Sequence, residues 1–425
     1  MDTMVVIIGA GQAGLAMSRQ LVDRGVEHVL LERGTVANSW RTERWDSLRL
    51  LTPNWLSRLP GHTYTGSDPE GFMAATEVAD MLDHYRASFD APIHTGVTVT
   101  DVRRAAAGFT VDTDQGTWRC QAVVVATGAA STPHVPGIAA HVPGRIHQLT
   151  PTHYRNPDQL DDGPVLVVGA SASGAQLADE LHRSGRDVVL AVGDHVRLPR
   201  QYRQMDIHWW METIGLLDDR IEDQSRPARA RRLPSLQLVG SDDGRSVDLN
   251  ALSDIGIELV GRLADVHGST ALFADGLATT CRSADGRMRR LLARIDDFAA
   301  ANGLDAEVGA PDAPAPIRIP RSRTTIDMAQ FATVLWATGF RPDYPWLDAR
   351  ALDERGAIRH DRGVGAMPGL YVLGLPFMRR RKSSFLDGVG PDAAELSAHL
   401  VTRLHRRPSA AGIAAGSATT QERSS

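Results

Sequence analysis

The sequence predicts an α/β fold in which a second domain is inserted into a first domain and leaves the first discontinuous. Short apolar runs typical of buried strands alternate with helical segments through both halves of the chain, which favours parallel sheets flanked by helices. Two similar strand–turn–helix units begin at Val5 and Val165. Stretches rich in Pro and Gly at 131–137 and 310–320 are typical of crossings between domains.

The predicted elements follow from apolar periodicity. The predicted strands are Val5 to Ile8, Val29 to Glu32, Ala122 to Ala126, Val165 to Val168, Val188 to Ala191, Thr333 to Ala337 and Leu370 to Leu373. The predicted helices are Ala75 to Phe89, Ala175 to Ser184, Ala284 to Ala301 and Asp392 to His405.

Composition excludes several classes of protein. With 425 residues, 42% of them hydrophobic and 23% charged, the chain is that of an ordinary globular protein of two or three domains. Its formal net charge of −5 argues against nucleic-acid binding. Cys120 and Cys281 form neither a CxxC pair nor part of a ligand cluster, so we expect no disulfide scaffold and no metal site.

The two ends of the chain carry further expectations. The apolar run from Met4 to Ile8 is far too short to span a bilayer and follows no basic segment, so we expect no membrane span and a cytoplasmic location. Residues 406–425 are small and polar without periodicity, which predicts a disordered tail.

The first unit, VVIIGAGQAGLAMSRQL, carries the spacing Gly9-x-Gly11-x-x-Gly14. These glycines allow a tight turn, close approach of the backbone to a pyrophosphate and close packing of helix on strand. The helix N-terminus offers N–H groups to the phosphates. Glu32 ends the next strand and can accept hydrogen bonds from ribose hydroxyls, so strand, helix and acid together predict a dinucleotide site.

The second unit, VLVVGASASGAQLADEL, keeps Gly169 and Gly174 but has Ser171 at the middle glycine position and Ser173 beside the last. The residue equivalent to Glu32 is Val192, so the ribose carboxylate is missing. A 2′-phosphate fits where that anion is absent, and Arg197, Arg200 and Arg203 follow closely. We therefore predict FAD in the first unit and NADPH in the second, although a solvated basic loop is an equally common role for any one of these arginines.

Two strands that end in Ala-Thr-Gly, VVVATGAASTPHVPG (123–137) and VLWATGFRPDYPWL (334–347), complete a pattern. Together with both glycine units, it resembles the class B flavin-dependent monooxygenases, especially the flavin-containing monooxygenase and YUCCA-like group and its bacterial relatives. The resemblance spans nearly the whole chain. It implies two Rossmann-like domains, with FAD-binding parts at 1–155 and 326–405 and an NADPH-binding domain at 156–325.

The resemblance also implies an activity. The enzyme would use NADPH to reduce FAD, form a flavin C4a-(hydro)peroxide and oxygenate a small organic substrate by N- or S-oxidation or by attack on a carbonyl. Partners would be that substrate and O₂, with a homodimer as the candidate assembly. The alternative is an NADPH-flavin reductase or oxidase that passes electrons to an external acceptor or to O₂. No catalytic side chain is predicted, because the chemistry belongs to the cofactors.

Site residues carried over from the family lie in several segments. In SWRTERWDSLRLLTPNWLSRLPG (39–61), Trp40, Arg41, Leu51, Thr52 and Pro53 would line the isoalloxazine. Some family members have asparagine where Leu51 stands, and Thr52 or Asn54 is the candidate to replace its polar contact. The remaining predicted cofactor-binding residues are Gln12, Ala13, Arg33, Thr127, Gly128, Thr338, Gly339 and Gly374.

Three other stretches carry weaker predictions. In the family linker, Tyr154 matches, but Thr150 replaces a histidine associated with placing the nicotinamide cofactor, and His147 and His153 flank it. The run Arg379 to Lys382 would contact an anion or, more commonly for such runs, form a solvated turn. Trp209 and Trp210 are candidates for the substrate pocket, with core packing favoured.

Overall fold

The computed structural model describes residues 1–241, 243–319 and 321–405. The predicted disordered tail at 406–425 lies outside the described residues. The α-helices are α1 (Gln12–Asp23), α2 (Asn38–Thr42), α3 (Ala75–Ala87), α4 (Ala172–Arg183), α5 (Ile207–Thr213), α6 (Pro227–Ala230), α7 (Leu249–Asp254), α8 (Leu277–Ala301) and α9 (Leu386–His405).

The strands of the first half of the chain are β1 (Val5–Ile8), β2 (His28–Glu32), β3 (Ile93–Thr95), β4 (Val99–Ala105), β5 (Gly108–Thr113), β6 (Gly116–Cys120), β7 (Ala122–Val125), β8 (His147–Leu149), β9 (Val165–Val168), β10 (Val188–Ala191), β11 (Val196–Arg197), β12 (Gln201–Tyr202) and β13 (Met205–Asp206). Those of the second half are β14 (Leu236–Gln237), β15 (Glu258–Val260), β16 (Leu263–His267), β17 (Thr270–Phe273), β18 (Thr325–Asp327), β19 (Thr333–Trp336), β20 (His360–Asp361), β21 (Val364–Gly365) and β22 (Leu370–Val372).

The first domain is built on a seven-stranded sheet in the order β20-β21-β22-β7-β1-β2-β3. Its centre is parallel, with Val5 opposite His28 on one side and Ala122 on the other. Every residue of β1, β2 and β7 is buried, as expected for strands covered on both faces. Helices α1 and α9 pack against each other over this sheet.

The second domain is built on a five-stranded parallel sheet in the order β15-β10-β9-β19-β8. Here Val165 pairs with Val188 on one side and with Thr333 on the other. The predicted α/β class and both Rossmann-like sheets are therefore confirmed. Two antiparallel three-stranded sheets, β4-β5-β6 and β16-β17-β18, were not predicted from the apolar runs.

Strand membership corrects the predicted domain boundaries. β8 was assigned to the first FAD-binding part and β19 to the second, but both belong to the sheet of the inserted domain. The junctions predicted at 155/156 and 325/326 therefore make the inserted domain too short at both ends. We propose that the inserted domain runs from about β8 to β19, because hydrogen-bonded strands of one sheet share one core.

Helices α4, α8 and α9 begin earlier than the sequence predicts. The sequence of α9 begins with Gly388, Gly390 and Pro391 in its first turns, residues that disfavour helix by themselves. Packing requires the glycine at 388, since a Cβ there would lie 1.7 Å from the carbonyl oxygen of Lys382. Tertiary contact therefore overrides local propensity at the start of this helix.

The two crossings between the domains lie side by side. The N–H of His134 donates to the carbonyl oxygen of Gly339 at 2.8 Å, and the N–H of Arg341 donates to that of Thr132 at 3.0 Å. The outgoing and returning chains thus form a short two-stranded link.

In the described part of the chain, no helix is both long and apolar enough to span a membrane. Within the same residues, no group of His, Cys, Asp and Glu side chains is arranged to hold a metal ion.

Candidate active site

The glycines of the first unit, the turn between β1 and α1, divide into two kinds. A Cβ at Gly14 would lie 1.9 Å from the carbonyl oxygen of Gly9, and one at Gly9 would lie 2.7 Å from that of Ala126. A Cβ at Gly11 would meet no atom within 4 Å. Gly9 and Gly14 therefore serve packing, while Gly11 leaves open space at the N-terminus of α1, where a pyrophosphate fits.

The Glu32 carboxylate is held against this turn. Its side chain is buried, Oε2 accepts from the N–H of Ala10 at 2.8 Å, and Oε1 accepts from the N–H of Gly34 at 3.0 Å. A carboxylate fixed by two N–H groups at the end of β2 is well placed to accept from ribose hydroxyls. We call this turn with Glu32 the first cradle.

Several predicted cofactor residues meet at the first cradle. The indole N–H of Trp40 donates to Oε1 of Gln12 at 3.4 Å, and Nε2 of Gln12 donates to the carbonyl oxygen of Ser384 at 3.5 Å. A Cβ at Gly374 would lie 2.8 Å from the Cβ of Ala13. The structure thus joins α1, α2 and the segment before α9 around one space.

Arg33 and Arg41 are predicted cofactor residues that lie on the surface. Arg33 pairs with Glu43, and Nη2 of Arg41 lies 2.9 Å from Oδ1 of Asp80. Each cation already has an acidic partner inside the protein. Neither pair links its arginine to the turn of the first cradle.

The second unit, the turn between β9 and α4, repeats the backbone of the first. Ser171 caps α4 with φ −82° and ψ −167°, against −83° and −171° at Gly11 on α1. Gly174 is again required, since a Cβ there would lie 1.8 Å from the carbonyl oxygen of Gly169. The serine changes what projects into the space but leaves the turn itself unchanged. We call this turn, with the end of β10, the second cradle.

Residues 235–238 flank the second cradle, and no motif in the sequence predicts this contact. The N–H of Ala172 donates to Oγ of Ser235 at 3.3 Å, and Nε2 of Gln176 donates to the carbonyl oxygen of Leu238 at 2.7 Å. The Gln237 amide also donates to the carbonyl oxygen of Ala170. The N-terminus of α4 therefore has a hydroxyl of the protein beside it, where we find no such group at α1 among the described residues.

The arginines predicted to bind a 2′-phosphate are buried. Arg197 is 1% exposed, and its guanidinium lies 2.6 Å from Oδ2 of Asp248 and 2.5 Å from Oδ1 of Asp285. Arg200 is 2% exposed and pairs with Asp206, and Arg203 is 3% exposed and pairs with Asp305 and Asp296. Their positive charge is already neutralised inside the protein, so we withdraw Arg197, Arg200 and Arg203 from the phosphate site.

The end of β10 carries a different pair of charges. Val192 is buried where Glu32 stands in the first cradle, and Gly193 faces open space. The exposed carboxylate of Asp194 lies 2.7 Å from Nη2 of Arg287, which also donates to the carbonyl oxygen of His195 at 2.5 Å. Arg287 is therefore a partly exposed cation held at this strand end.

The segment predicted to line the isoalloxazine lies between the domains. Leu51 and Thr52 are half-buried, and the carbonyl oxygen of Leu51 accepts from Nη1 of Arg200 at 2.7 Å. The side-chain amide of Asn54 makes two hydrogen bonds: Nδ2 donates to the carbonyl oxygen of Asp68, and Oδ1 accepts from the N–H of Met73. Between Thr52 and Asn54, Thr52 thus has the freer polar group.

The two Ala-Thr-Gly segments lie on different sheets. Thr127 follows β7 and is exposed, beside Gly128 with φ +76°. Thr338 follows β19, and its hydroxyl donates to the carbonyl oxygen of His134 in the paired crossing. Gly339 also belongs to that crossing. The threonines therefore each follow one strand, in different sheets, and Thr338 lies at the crossing between the domains.

Comparison with known proteins agrees with this arrangement. The family model described as pyridine nucleotide-disulphide oxidoreductase matches residues 6–213. An uncharacterized CzcO-like oxidoreductase of Geobacillus kaustophilus is 32% identical over 92% of this chain and 96% of its own length. The indole-3-pyruvate monooxygenase YUCCA4 of Oryza sativa is 25% identical over 94% of this chain and 88% of its own. The solved flavin-containing monooxygenase from Stenotrophomonas maltophilia superposes with a TM-score of 0.65 at 21% identity, covering 95% of this chain and 99% of that one.

The chain belongs to the class B flavin-dependent monooxygenase family. It is accordingly a flavoprotein oxidoreductase of that family, and its fold accommodates a flavin and a nicotinamide cofactor.

The basic run of this monooxygenase, Arg379 to Lys382, is neither a solvated turn nor an anion site. Lys382, the single lysine of the chain, is buried, with Nζ 2.6 Å from Oδ2 of Asp387 and 3.1 Å from Oδ2 of Asp218. Arg380 pairs with Asp392 at 2.6 Å, and the N–H of Lys382 donates to the carbonyl oxygen of Leu217. The run fastens the segment after α5 to the start of α9.

The linker of the monooxygenase is ordered around the threonine that replaces the family histidine. Thr150 is buried, with Oγ1 2.8 Å from Nδ1 of the exposed His153 and 3.0 Å from Oγ1 of Thr152. Tyr154 is fully buried, and its hydroxyl donates to Oε1 of Glu180 at 2.8 Å. His147 lies in β8 and is exposed.

The two thiols of the monooxygenase are free, buried and in separate hydrophobic clusters. Burial raises the pKa of Cys120 to about 12 and that of Cys281 to about 11. Since the thiolate is the reactive form, neither cysteine is suited to disulfide exchange.

Trp210 and Trp209 differ in exposure. Trp210 is fully buried, and its indole N–H donates to the carbonyl oxygen of Tyr202 at 2.8 Å, as the core interpretation predicts. Trp209 is half-buried and packs at the margin of the same cluster, with its ring centroid 4.9 Å from that of Trp210. Trp209 therefore keeps part of its ring exposed, whereas Trp210 does not.

A separate cavity of about 450 Å³ opens along the outer side of α4. Trp45 and Arg49 line it from the first domain, and Asp179, Glu180 and Arg183 line it from α4. Its charged walls are paired, for example Nε of Arg183 with Oδ1 of Asp179 at 2.8 Å.

Proposed function

We propose that the protein is an NADPH-dependent monooxygenase that holds FAD in the first cradle and oxygenates a small organic substrate by N- or S-oxidation or by attack on a carbonyl. The observation that carries this proposal is the pair of nearly identical cradles on two linked sheets, with the Glu32 carboxylate at the strand end of one and the apolar Val192 at the equivalent position of the other.

The first cradle fits FAD. The open space at Gly11 accommodates a pyrophosphate, and the Glu32 carboxylate is fixed where an adenosine ribose would lie. Helix α9 begins two residues after Ser384, which is hydrogen-bonded to Gln12. The partial positive charge at the start of α9 would stabilise negative charge on a reduced flavin.

The second cradle fits a nicotinamide dinucleotide, and the absence of a carboxylate at Val192 supports NADPH. With the three buried arginines withdrawn, Arg287 is our candidate for the 2′-phosphate. Its guanidinium is partly exposed, and Asp194 holds it at the strand end.

The cofactors supply the redox chemistry when bound, namely hydride transfer and activation of O₂. The chain orients them and excludes water, because a wet site releases hydrogen peroxide without product. Leu51 and Trp55, from the segment proposed to line the flavin, and Trp209 are partly exposed apolar side chains that pack on one hydrophobic cluster. Such surface suits a substrate with apolar and aromatic groups, a class to which the indole-3-pyruvate named for the rice relative also belongs.

The alternative is a reductase or oxidase that passes electrons to an external acceptor or to O₂. Thr150 in place of the family histidine favours it slightly, because retention of NADP⁺ would suffer. The buried cysteines disfavour the version that uses a dithiol of its own.

The deciding experiment needs no known substrate. The NADPH-reduced holoenzyme is mixed with O₂, and O₂ consumption and hydrogen peroxide release are recorded together. For a monooxygenase we expect peroxide release to lag behind O₂ consumption, because the enzyme holds the activated oxygen. Coincident traces would overturn the proposal in favour of the oxidase.

A further inference from the structure

We propose that Arg200 is a positioning residue that ties the inserted domain to the segment 50–53 and thereby sets the position of the nicotinamide cofactor relative to the flavin. The inference rests on the proposed function, since segment 50–53 lines the flavin only by that proposal.

The guanidinium of Arg200 crosses the boundary between the domains. Arg200 follows β11 of the inserted domain, yet its Nη1 donates to the carbonyl oxygen of Leu51 at 2.7 Å. Its Cζ lies 4.7 Å from the ring centroid of Phe72, within the range of a cation–π contact. Leu51 and Phe72 both belong to the first domain. One buried cation therefore contacts both the backbone and an aromatic ring of the neighbouring domain.

The other donors of Arg200 fix its orientation. Nε donates to Oδ2 of Asp206 at 2.8 Å, and Nη2 donates to the same oxygen and to Nδ1 of His208 at 3.1 Å. Asp206 is itself fixed as the N-cap of α5, where Oδ1 accepts from the N–H of His208 at 2.7 Å. Burial lowers the pKa of His208, which keeps the ring neutral and its Nδ1 available as an acceptor. The direction of Nη1 towards Leu51 is thus set by the start of α5.

A second contact from the inserted domain meets the same segment. A Cβ at Gly240 would lie 2.1 Å from the carbonyl oxygen of Leu50. The backbone of 240 therefore packs directly on the residue before Leu51. Through the flanking residues 235–238, Gly240 is continuous with the chain that contacts the second cradle at Ala170 and Ala172.

These contacts connect the two cofactor sites. Segment 50–53 is held from one side by its own domain, where the N–H of Leu50 donates to the carbonyl oxygen of Met73 at 2.9 Å. From the other side it is held by Arg200 and Gly240. Hydride transfer depends steeply on the distance and angle between two rings, so a small displacement of this segment lowers the rate. A lysine keeps the charge but cannot serve three acceptors in one plane.

Arg203 provides a matched control. It lies three residues after Arg200, in the turn between the paired strands β12 and β13, and is almost as buried. Among the described residues, the hydrogen bonds and ion pairs of its side chain stay within the inserted domain. Its Nε donates to the carbonyl oxygen of Gly309 at 2.8 Å, and Nη2 lies 2.5 Å from Oδ1 of Asp305. Loss of Arg203 should weaken the inserted domain without releasing Leu51.

The experiment compares R200K, R200Q and R203Q as holoenzymes. We measure the visible circular dichroism of the bound flavin, the thermal midpoint, and the anaerobic rate of flavin reduction at saturating NADPH. For R200K and R200Q we expect an altered flavin signal and a reduction rate lowered about tenfold or more. R203Q should lower the thermal midpoint but leave the flavin signal unchanged and the reduction rate within about twofold.

If R200Q fails to fold, R200K carries the test. Unchanged flavin signals with a reduction rate near that of the wild type in the Arg200 variants would overturn the proposal, as would an equal loss of rate in R203Q. A wild-type enzyme that NADPH does not reduce at all would instead count against the proposed function, and dithionite reduction would still reveal the flavin signals of each variant.

Discussion

The two cradles share one backbone and differ at the middle residue of the turn and at the end of the second strand. The capping residues Gly11 and Ser171 have nearly the same φ and ψ, and the glycines at the outer positions are required in both turns. The side chains at two positions differ. Gly11 has only a hydrogen where Ser171 has a hydroxymethyl group, and Glu32 has a carboxylate where Val192 has an isopropyl group. The fold sets where a dinucleotide would lie, and we expect these two positions to decide which dinucleotide binds and how tightly.

The largest expected effect is the difference in stability loss between alanine at Gly14, which packs against backbone, and alanine at Gly11, which faces open space. Gly14→Ala should destabilise the protein by about 3 kcal/mol or more, because its Cβ would overlap the carbonyl oxygen of Gly9. Gly11→Ala should cost about 1 kcal/mol or less, since only the N-cap preference is lost. Urea unfolding of the cofactor-free protein checks both, and equal losses would refute the division.

Next in size is removal of the carboxylate from the first cradle. Glu32→Gln places an amide N–H group against the N–H of Ala10 or Gly34, so we expect FAD to bind about 10- to 100-fold more weakly. Fluorescence titration of the cofactor-free protein with FAD measures this. Unchanged affinity would show that Glu32 serves only the backbone of the turn.

Transfer of the carboxylate to the second cradle should change cofactor choice. Val192→Glu brings a negative charge towards the proposed 2′-phosphate, so the ratio of NADPH to NADH efficiency should fall by about tenfold or more. Val192→Gln is the matched control, equal in size but uncharged, and should keep the ratio within about threefold. Steady-state flavin reduction with each nucleotide gives the ratio. If both variants lower it equally, bulk rather than charge is responsible.

Exchange of the middle residues should have a smaller effect. Gly11→Ser is expected to lower the affinity for FAD about tenfold, because the serine side chain occupies space proposed for the pyrophosphate. The stability of the cofactor-free protein should change little, since that space is open. Ser171→Gly should tighten NADPH a few-fold by allowing closer approach of the backbone. Calorimetric titration of each variant tests the pair. A gain in FAD affinity on Gly11→Ser would reverse the argument.

The smallest effect concerns pH, because a histidine lies just past the strand end of the second cradle only. His195 is fully buried, and burial lowers its pKa below the ordinary 6.5. The unfolded chain therefore takes up a proton near pH 6.5 that the folded chain resists, and stability falls as pH decreases below that value. His195→Gln should reduce this fall between about pH 7 and pH 5, as measured by urea unfolding.

Part of that pH dependence should survive the substitution. Burial also lowers the pKa of His28 and of His208, and both remain in the variant. Identical slopes for the wild type and His195→Gln would show that His195 contributes nothing.

The sequence predicted what is encoded locally. The glycine frames and Glu32 could be placed because their spacing within one strand–turn–helix unit determines their geometry. The arginines could not, because the acids that neutralise Arg197 lie 51 and 88 residues further along the chain. The basic run at Arg379 to Lys382 has the same explanation, since Asp218 reaches it from the inserted domain. Domain boundaries were misplaced because sheet pairing of β8 and β19 is likewise non-local.

The inserted domain leaves and rejoins the first domain at adjacent points, through the paired crossings at Thr132 to His134 and Gly339 to Arg341. Its entry and exit are adjacent, so a short peptide could close the first domain where the second is cut out. The same adjacency would let a foreign nucleotide-binding domain be grafted at this point without stretching the host. Exchange of whole domains between related oxidoreductases would then require matching these two neighbouring strands and the contacts that Arg200, Gly240 and Asp218 make with the first domain.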